Sequence, residues 1–281
     1  MAINFLWKKN KREATGPGHG SADGGGGFGP APDAMKDRVF GADPFAVLRR
    51  RWGVVPAGDD RLSTRDLMEL PDDELLATWR RLRDTATIGP AFAVRGWYHL
   101  LYKDILRNRL VADVGCGLGI DGITFAQAGA RVIFVDIVED NLVLLRRLCG
   151  LLDVTGADFL HLEDIDSLRA LPRAVDVFWC QGSMINAPFD FAGEESRAML
   201  EHLPVGGRWI ELVYPKARWE RDGRLPFHLW GERTDGPGTP WVEWYDRERL
   251  LRRLLPATFD VVLDLEFHDG QLAWFDFQRT G

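Results

Sequence analysis

Four glycines and one acidic residue lie close together near the middle of the sequence, in a pattern that could bind a nucleotide. Asp113 precedes Gly115, Gly117 and Gly119, and Gly122 follows them. Where a strand turns sharply into a helix against a bound ligand, side chains would block the ligand, so glycines occupy the turn. The spacing therefore predicts a nucleotide-binding loop.

A second acidic residue stands where a ribose would lie. Asp136 ends the next predicted strand, seventeen residues after Gly119, and a carboxylate there can accept hydrogen bonds from both ribose hydroxyls. Gly117, Gly119 and Gly122 also satisfy the G-x-G-x-x-G pattern of dinucleotide-binding proteins, which alone is a weak signal. Asp121 disfavours that alternative, because it puts an anion where a pyrophosphate would lie.

The stretch from Val111 to Gly122 resembles motif I of class I S-adenosylmethionine (SAM)-dependent methyltransferases, which reads acidic-x-G-x-G-x-G. Residues 132–136 and 175–181 resemble motifs II and IV of the same family. The resemblance implies a SAM-dependent enzyme in which Asp113 meets the amino acid end of SAM. It assigns to the cofactor Asp113, Gly115, Cys116, Gly117, Gly119, Asp136, Ile137, Glu163, Asp164 and Gln181, and leaves open whether Glu163 or Asp164 meets the adenine.

The elements that must position these residues follow from the hydrophobic pattern. From Leu110 onward, short apolar segments alternate with helical ones, which indicates parallel strands crossed by helices. Asp269-Gly270 joins the last two strands as a hairpin. Together with the resemblance, this predicts an α/β fold: a doubly wound, mostly parallel seven-stranded sheet that ends in an antiparallel hairpin.

Composition divides the chain into three parts. Residues 1–36, with a run of four glycines, read as a disordered tail. Residues 37–108 read as an N-terminal helical cap, and residues 109–281 as the SAM-binding domain. An insertion at 215–247 is long for a connection, and long ordered loops are usually functional.

The predicted acceptor site lies in this insertion and on the cap. Trp230 and Trp241 offer flat faces for stacking on an acceptor, although tryptophan fills protein cores as readily. His228 is the predicted general base, since histidine titrates near neutral pH. Tyr98 and His99, on the last helix of the cap, are the other predicted acceptor-binding residues, and they mark the alternative place for the acceptor if the insertion does not hold it.

The bulk composition limits the partners. A net charge of -7 makes nucleic acid a poor expectation. Three scattered cysteines indicate a reducing compartment, hence a cytoplasmic protein, and no spacing suggests a metal site. The apolar and basic residues within 3–12 allow weak peripheral contact with a membrane.

Three functions fit the sequence. The first is methyl transfer from SAM to a small-molecule or glycan acceptor, at a hydroxyl. The second is a SAM- or nucleotide-binding sensor or partner without turnover, and the third a nicotinamide-dependent oxidoreductase. The segment Asn186-Ala187-Pro188-Phe189 only superficially resembles the N-P-P-aromatic motif of amine-methylating enzymes. The sequence indicates neither the acceptor nor the oligomeric state.

Overall fold

A computed structural model of the chain describes residues 32–41, 43–54 and 62–281. Most of the predicted tail, including the segment 3–12 considered for membrane contact, lies outside the described residues. The first described helix, α1 (Pro32–Phe40), begins inside the range that we predicted as tail.

One seven-stranded sheet forms the centre of the molecule, in the order β3-β2-β1-β4-β5-β7-β6. Strands β1 to β5 are parallel, and β7 pairs antiparallel with both β5 and β6. The predicted fold class is therefore confirmed, including the terminal hairpin. The strands are β1 (Leu110–Val114), β2 (Arg131–Asp136), β3 (Ala157–His161), β4 (Val177–Gln181), β5 (Arg208–Val213), β6 (Phe259–Phe267) and β7 (Leu272–Arg279).

The chain order reverses beside β1, so the carboxyl ends of β1 and β4 diverge and leave a crevice where ligands bind in this architecture. The central strands β1 and β4 are buried along their whole length, as expected for strands covered on both faces. The helices that cross between parallel strands are α6 (Ile120–Gln127), α7 (Glu139–Leu151) and α8 (Phe189–Leu200).

The N-terminal helices pack onto the sheet domain. They are α2 (Pro44–Trp52), α3 (Thr64–Glu69), α4 (Asp72–Thr87) and α5 (Gly96–Ile105), and α3 to α5 contact α6 or α7. Asp43 starts α2 by accepting a hydrogen bond from the Ala46 amide, and Pro44 fits the first turn.

Helix α2 lies across the crevice at the carboxyl ends of the strands. Arg49 donates to the Glu163 carbonyl oxygen at 2.8 Å, on the β3 side. Two residues later, Arg51 donates to the Asp235 carbonyl oxygen at 2.9 Å, within the predicted insertion. Both ends of the crevice therefore hold α2 in place.

The insertion contains two helices, α9 (Lys216–Arg221) and α10 (Phe227–Asp235), and α11 (Arg247–Arg253) follows it. Among the described helices, none is long and apolar enough to cross a bilayer.

A buried ion pair joins α11 to the sheet. Arg253 and Glu211 of β5 contact each other with fully buried side chains, and the Trp209 indole donates to the same carboxylate at 2.8 Å. Two buried charges depend on their mutual attraction, because removing one leaves the other desolvated and without a compensating charge.

This pair yields a stability prediction. Arg253→Met should lower the free energy of unfolding by about 3–5 kcal/mol, and adding Glu211→Leu should recover most of the loss. Urea unfolding measures both. The control is Arg224→Met, which breaks an exposed pair with Glu220 and should cost at most about 1 kcal/mol. Equal losses in Arg253→Met and Arg224→Met would contradict the analysis.

Candidate active site

The glycine loop joins β1 to α6 in the conformation that its sequence predicts. Gly115, Gly117 and Gly119 have φ values of 69°, 54° and 64°, in the left-handed region that favours glycine. A side chain at Gly115 would also meet Ser183, whose Cβ would lie 2.4 Å from the added carbon. At Gly115 the loop backbone therefore packs closely against Ser183, just after β4.

Asp136 ties this loop to the end of β2. One carboxylate oxygen accepts from the Gly117 amide at 2.9 Å and from the Asn141 side chain at 3.1 Å. The other accepts from the Val138 amide at 2.8 Å. Burial raises the pKa of Asp136, and these hydrogen bonds oppose that rise.

Asp113 lies beneath the loop on β1. Its carboxylate accepts a hydrogen bond from the Gly122 amide at 3.1 Å, so it also holds the start of α6. Burial, reinforced by the nearby Asp121 carboxylate, raises the pKa of Asp113 well above its usual value. A cation such as the amino group of SAM would stabilise the ionised form.

Arg95 is a site residue that the sequence reasoning missed. It lines a small cavity together with Asp113, the glycine loop and Asp121. Its Nε donates to the Tyr98 hydroxyl at 2.9 Å and lies 3.4 Å from Asp121. A buried guanidinium there can bind a carboxylate. A signal was present: Arg95 caps the N-terminus of α5, where a cation is electrostatically unfavourable.

The predicted acceptor residue His99 belongs to the same network. Its Nε2 lies 2.5 Å from Asp121 Oδ1, and the Trp179 indole donates to the other oxygen of Asp121 at 3.0 Å. Arg95 and these hydrogen bonds outweigh the desolvation of Asp121 and lower its pKa. Asp121 thus compensates the buried cation of Arg95.

A cleft opens along the ends of β1, β2 and β4 under α2. Its apolar wall comes from Phe45, Leu48 and Trp52 of α2 and from Met184. Other lining residues are Val114, Gly115, Val135, Asp136, Ile137, Asn141, Leu162, Gln181, Gly182, Ser183, Asn186, Ala187 and Glu195. Sequence patterns did not indicate that α2 would cover this cleft, because only a long-range contact brings it there.

Several polar atoms in the cleft lack a partner among the described residues. They are both amide atoms of Gln181, the Ser183 hydroxyl and the Asn186 side-chain oxygen. Buried polar groups are nearly always hydrogen-bonded, so such a cluster indicates a ligand. Gln181 and Gly115 line both this cleft and the smaller cavity of Arg95, so the two spaces meet there.

The two acidic residues after β3 point elsewhere. The Glu163 side chain is 76% exposed, with His161 Nδ1 at 3.7 Å. Asp164 caps the 3₁₀ helix Ile165–Ala170 and accepts from the Ser167 amide at 2.9 Å. Neither of them lines the cleft.

The predicted acceptor-site aromatics lie in the interior. Tyr98 and Trp230 have no exposed surface, and Trp241 is 4% exposed. The Tyr98 ring stacks on Trp274 with centroids 4.6 Å apart. The sequence analysis left open that these tryptophans are core residues, and their burial agrees with that alternative.

His228 lies on α10, half-buried, and its Nδ1 has no hydrogen-bond partner among the described residues. It does not line the cleft. A role in proton transfer would require an acceptor that extends to α10, so His228 as base remains a prediction.

The arrangement fits SAM in each of its parts. Asp136 and Ile137 at the end of β2 would hold the ribose and adenine side, and the glycine loop, with Cys116, would lie along the ligand. Asp113 and Arg95 would supply opposite charges for the amino and carboxyl groups of its methionine moiety. The space shared by Gly115 and Gln181 lies between these two ends.

Comparisons with known proteins agree with this geometry. Residues 111–207 match the family model described as a methyltransferase domain. Over 136 residues the chain is 28% identical to the histone-arginine methyltransferase METTL23 of Xenopus laevis, covering 46% of this chain and 56% of that protein. The chain thus spans little more than half the length of that curated relative.

Two solved structures are similar in fold. Magnesium protoporphyrin IX methyltransferase from Synechocystis PCC 6803, with bound S-adenosyl-l-homocysteine (SAH), has a TM-score of 0.52 and 19% identity, over 89% of this chain and 100% of that one. The N-methyltransferase NodS from Bradyrhizobium japonicum WM9, in complex with SAH, has a TM-score of 0.51 and 14% identity, over 73% of this chain and 98% of that one.

The fold is that of the class I methyltransferases. Residues 111–207 match the model of a methyltransferase domain, and the two solved structures that share the fold hold SAH.

The ribose contact yields a binding prediction. Asp136→Ala removes the acceptor of three protein hydrogen bonds and of the ribose hydroxyls, and should weaken SAH binding at least tenfold. Each charge-assisted bond is worth roughly 1.5–3 kcal/mol. Calorimetric titration with SAH measures the loss, and circular dichroism controls for folding. The control Asp158→Ala alters an exposed carboxylate of β3 and should bind as the wild type does. Wild-type affinity in folded Asp136→Ala would refute the ribose assignment.

Proposed function

We propose that this protein transfers the methyl group of SAM to a small-molecule acceptor, at a hydroxyl oxygen. The observation that carries the proposal is the position of Gln181. It lines both the cleft and the smaller cavity, and both atoms of its buried amide lack a partner among the described residues. A group held there lies where cofactor and acceptor meet.

The chain contributes mainly position to this reaction. The acceptor oxygen would attack the methyl carbon in line with the carbon–sulfur bond, whose electron pair returns to sulfur and yields SAH, and the hydroxyl proton would pass to bulk solvent. Enzymes accelerate such a step by holding the reacting atoms in contact and excluding water. Gln181 and Ser183 would orient the acceptor hydroxyl, while Phe45, Leu48 and Trp52 of α2 would keep water out.

The lining of the cleft favours one kind of acceptor. Phe45, Leu48, Trp52 and Met184 form an apolar wall opposite the polar end of β4. A flat organic molecule with one polar edge matches these two walls, since pockets for such ligands are mostly apolar with a few placed polar groups. A glycan would leave its outward hydroxyls against the apolar wall. We therefore favour a small organic molecule over a glycan.

A second acceptor class follows from the named relative, which acts on histone arginine. The unpartnered oxygens of Gln181 and Asn186 could accept hydrogen bonds from a guanidinium. An assay should therefore include arginine-containing peptides beside hydroxyaryl compounds. Methylated peptide as the only product would favour this second candidate.

Gln181 provides the test. With tritium-labelled SAM, wild-type protein should label a component of a host extract or of a hydroxyaryl panel. Gln181→Leu should bind SAH within about tenfold of wild type, because loss of one neutral hydrogen bond costs roughly 0.5–1.5 kcal/mol. Its turnover should fall at least tenfold, since a 1 Å misplacement can cost about a hundredfold.

Two variants separate the outcomes. Gly117→Val puts a branched side chain at a left-handed glycine of the loop and should abolish both SAH binding and labelling. Glu201→Gln changes an exposed carboxylate beyond α8 and should retain both. If Gln181→Leu kept full turnover, the acceptor would lie elsewhere. If wild-type protein bound SAH but labelled nothing in either panel, the sensor alternative would be favoured.

A further inference from the structure

We infer that the free edge of β6 and the adjoining side of α5 form a docking surface for residues 3–12 of the same chain. These residues lie outside the described part of the chain, and their sequence is the one considered above for membrane contact. The inference goes beyond the proposed function, because neither β6 nor α5 lines the cleft or the cavity of Arg95.

Strand β6 is an edge of the sheet, since it pairs with β7 alone. Its backbone groups that point away from β7 have no hydrogen-bond partner among the described residues. The pairing with β7 is irregular between Val261 and Leu263 and regular from there to Phe267. Edge strands are usually short, bulged or covered, because an open edge pairs readily with another segment. The regular part of β6 therefore offers a place for one more strand.

The side of β6 that faces α5 is apolar. Leu265 lies opposite Trp274 of β7, which stacks on Tyr98 of α5 with centroids 4.6 Å apart. Opposite residues of an antiparallel pair share one face, so Leu265 faces α5 as well. Phe267 lies on the same face and contacts Trp97 of α5 with centroids 5.3 Å apart. Leu265 nevertheless keeps 39% of its surface exposed.

Helix α5 extends this apolar surface. Leu101 and Ile105 follow Trp97 by one and two turns of the helix, on the side that adjoins β6. Both side chains are exposed, as is Val262 on β6. Exposed apolar residues that form a continuous surface mark an interaction site.

The carboxylates of β6 define the charge of the partner. Asp260, Asp264 and Glu266 are exposed, and the strand contains no basic residue. Arg247 approaches Asp264 to 3.6 Å, but no ion pair among the described residues involves Asp260 or Glu266. A second copy paired through this edge would bring acidic strands side by side, which is unfavourable. The surface therefore requires a partner with apolar and basic side chains.

Residues 3–12 combine these two properties in the spacing of a strand. Ile3, Phe5 and Trp7 alternate, so an extended segment puts all three side chains on one face. The cations that follow are Lys8, Lys9, Lys11 and Arg12. An apolar face continued by positive charge complements an apolar edge strand that carries carboxylates.

An antiparallel arrangement satisfies both requirements. With Ile3 beside Phe267, Phe5 would stand beside Leu265, on the face that adjoins α5. The cations would then lie toward the start of β6, where Asp260 is exposed. Added strands of this kind gain affinity from backbone hydrogen bonds and specificity from alternate side chains.

The length of the connection permits docking within one chain. Residues 13–31 join Arg12 to α1. An extended segment of this length spans about 65 Å, whereas a folded domain of this size is roughly 50 Å across. The segment can therefore reach β6 of its own chain.

Hydrogen exchange measured by mass spectrometry on the full chain tests the docking. In Phe5→Ser/Trp7→Ser, the protection factors of β6 amides should fall about tenfold, because docked amides exchange only when the segment opens. The protection of β3, the opposite edge of the sheet, should not change. The matched control Phe28→Ser, which removes an aromatic ring from the connecting residues, should keep the wild-type protection of β6.

A second pair of variants tests the charges. Asp260→Asn/Glu266→Gln should lower the protection factors of β6 roughly threefold at low ionic strength, because exposed ion pairs each contribute modestly and are screened by salt. The control Asp158→Asn alters an exposed carboxylate on β3 and should leave β6 unchanged.

Three results would overturn the docking. The first is equal protection of β6 in the wild type and in Phe5→Ser/Trp7→Ser. The second is protection that rises with protein concentration, because a segment bound to its own chain does not depend on concentration. The third concerns vesicles of phosphatidylcholine and phosphatidylserine in equal amounts: protection of residues 3–12 only when vesicles are present would show that the segment binds lipid instead of β6.

Discussion

A single carboxylate holds the glycine loop in place. Asp136 accepts hydrogen bonds from the Gly117 amide, the Val138 amide and the Asn141 side chain, and so joins the loop after β1 to the end of β2 and the start of α7. The left-handed glycines can adopt their turn without steric cost, but they do not select it. Asp136 contributes to that selection, together with the amides of Gly115 and Cys116, which both donate to the Val135 carbonyl oxygen.

The other features of the site depend on this anchored loop. Because the loop is fixed, the cavity of Arg95 and the cleft under α2 meet at Gly115 and Gln181. Two buried cations near the site are balanced by a named partner: Asp121 balances Arg95, and Glu211 balances Arg253. Such pairing is required where water is excluded. Unpaired polar atoms are concentrated where a ligand would satisfy them.

The sequence predicted the features whose cause is local. Glycine spacing and an acidic strand end define the loop, and alternating apolar segments with an Asp-Gly turn define the sheet and its hairpin. These patterns were sufficient to predict the fold class, which the structure confirms. They also placed Asp113, Asp136 and Gln181 at strand ends, where the structure brings them to the cleft and the adjoining cavity.

The sequence patterns could not predict long-range contacts. A tryptophan side chain packs equally well in a protein core or against a ligand. The residue types of Trp230 and Trp241 therefore could not predict that both side chains are buried in the core. The predicted helical cap of residues 37–108 includes α2, but the sequence did not indicate the crevice that α2 covers. Arg95 carried a weak signal, a cation at the start of a helix. This signal became interpretable only when the neighbours of Arg95 were known.

The cofactor assignment is the central claim, and direct binding tests it most simply. Purified full-length protein would be titrated by calorimetry with SAM, SAH and NAD under identical conditions. SAM and SAH should each bind saturably with similar affinity, and NAD should give no measurable binding, because the buried Asp121 carboxylate stands at the start of α6 where a pyrophosphate would lie. Binding of NAD as tight as that of SAM, or tighter, would contradict the account.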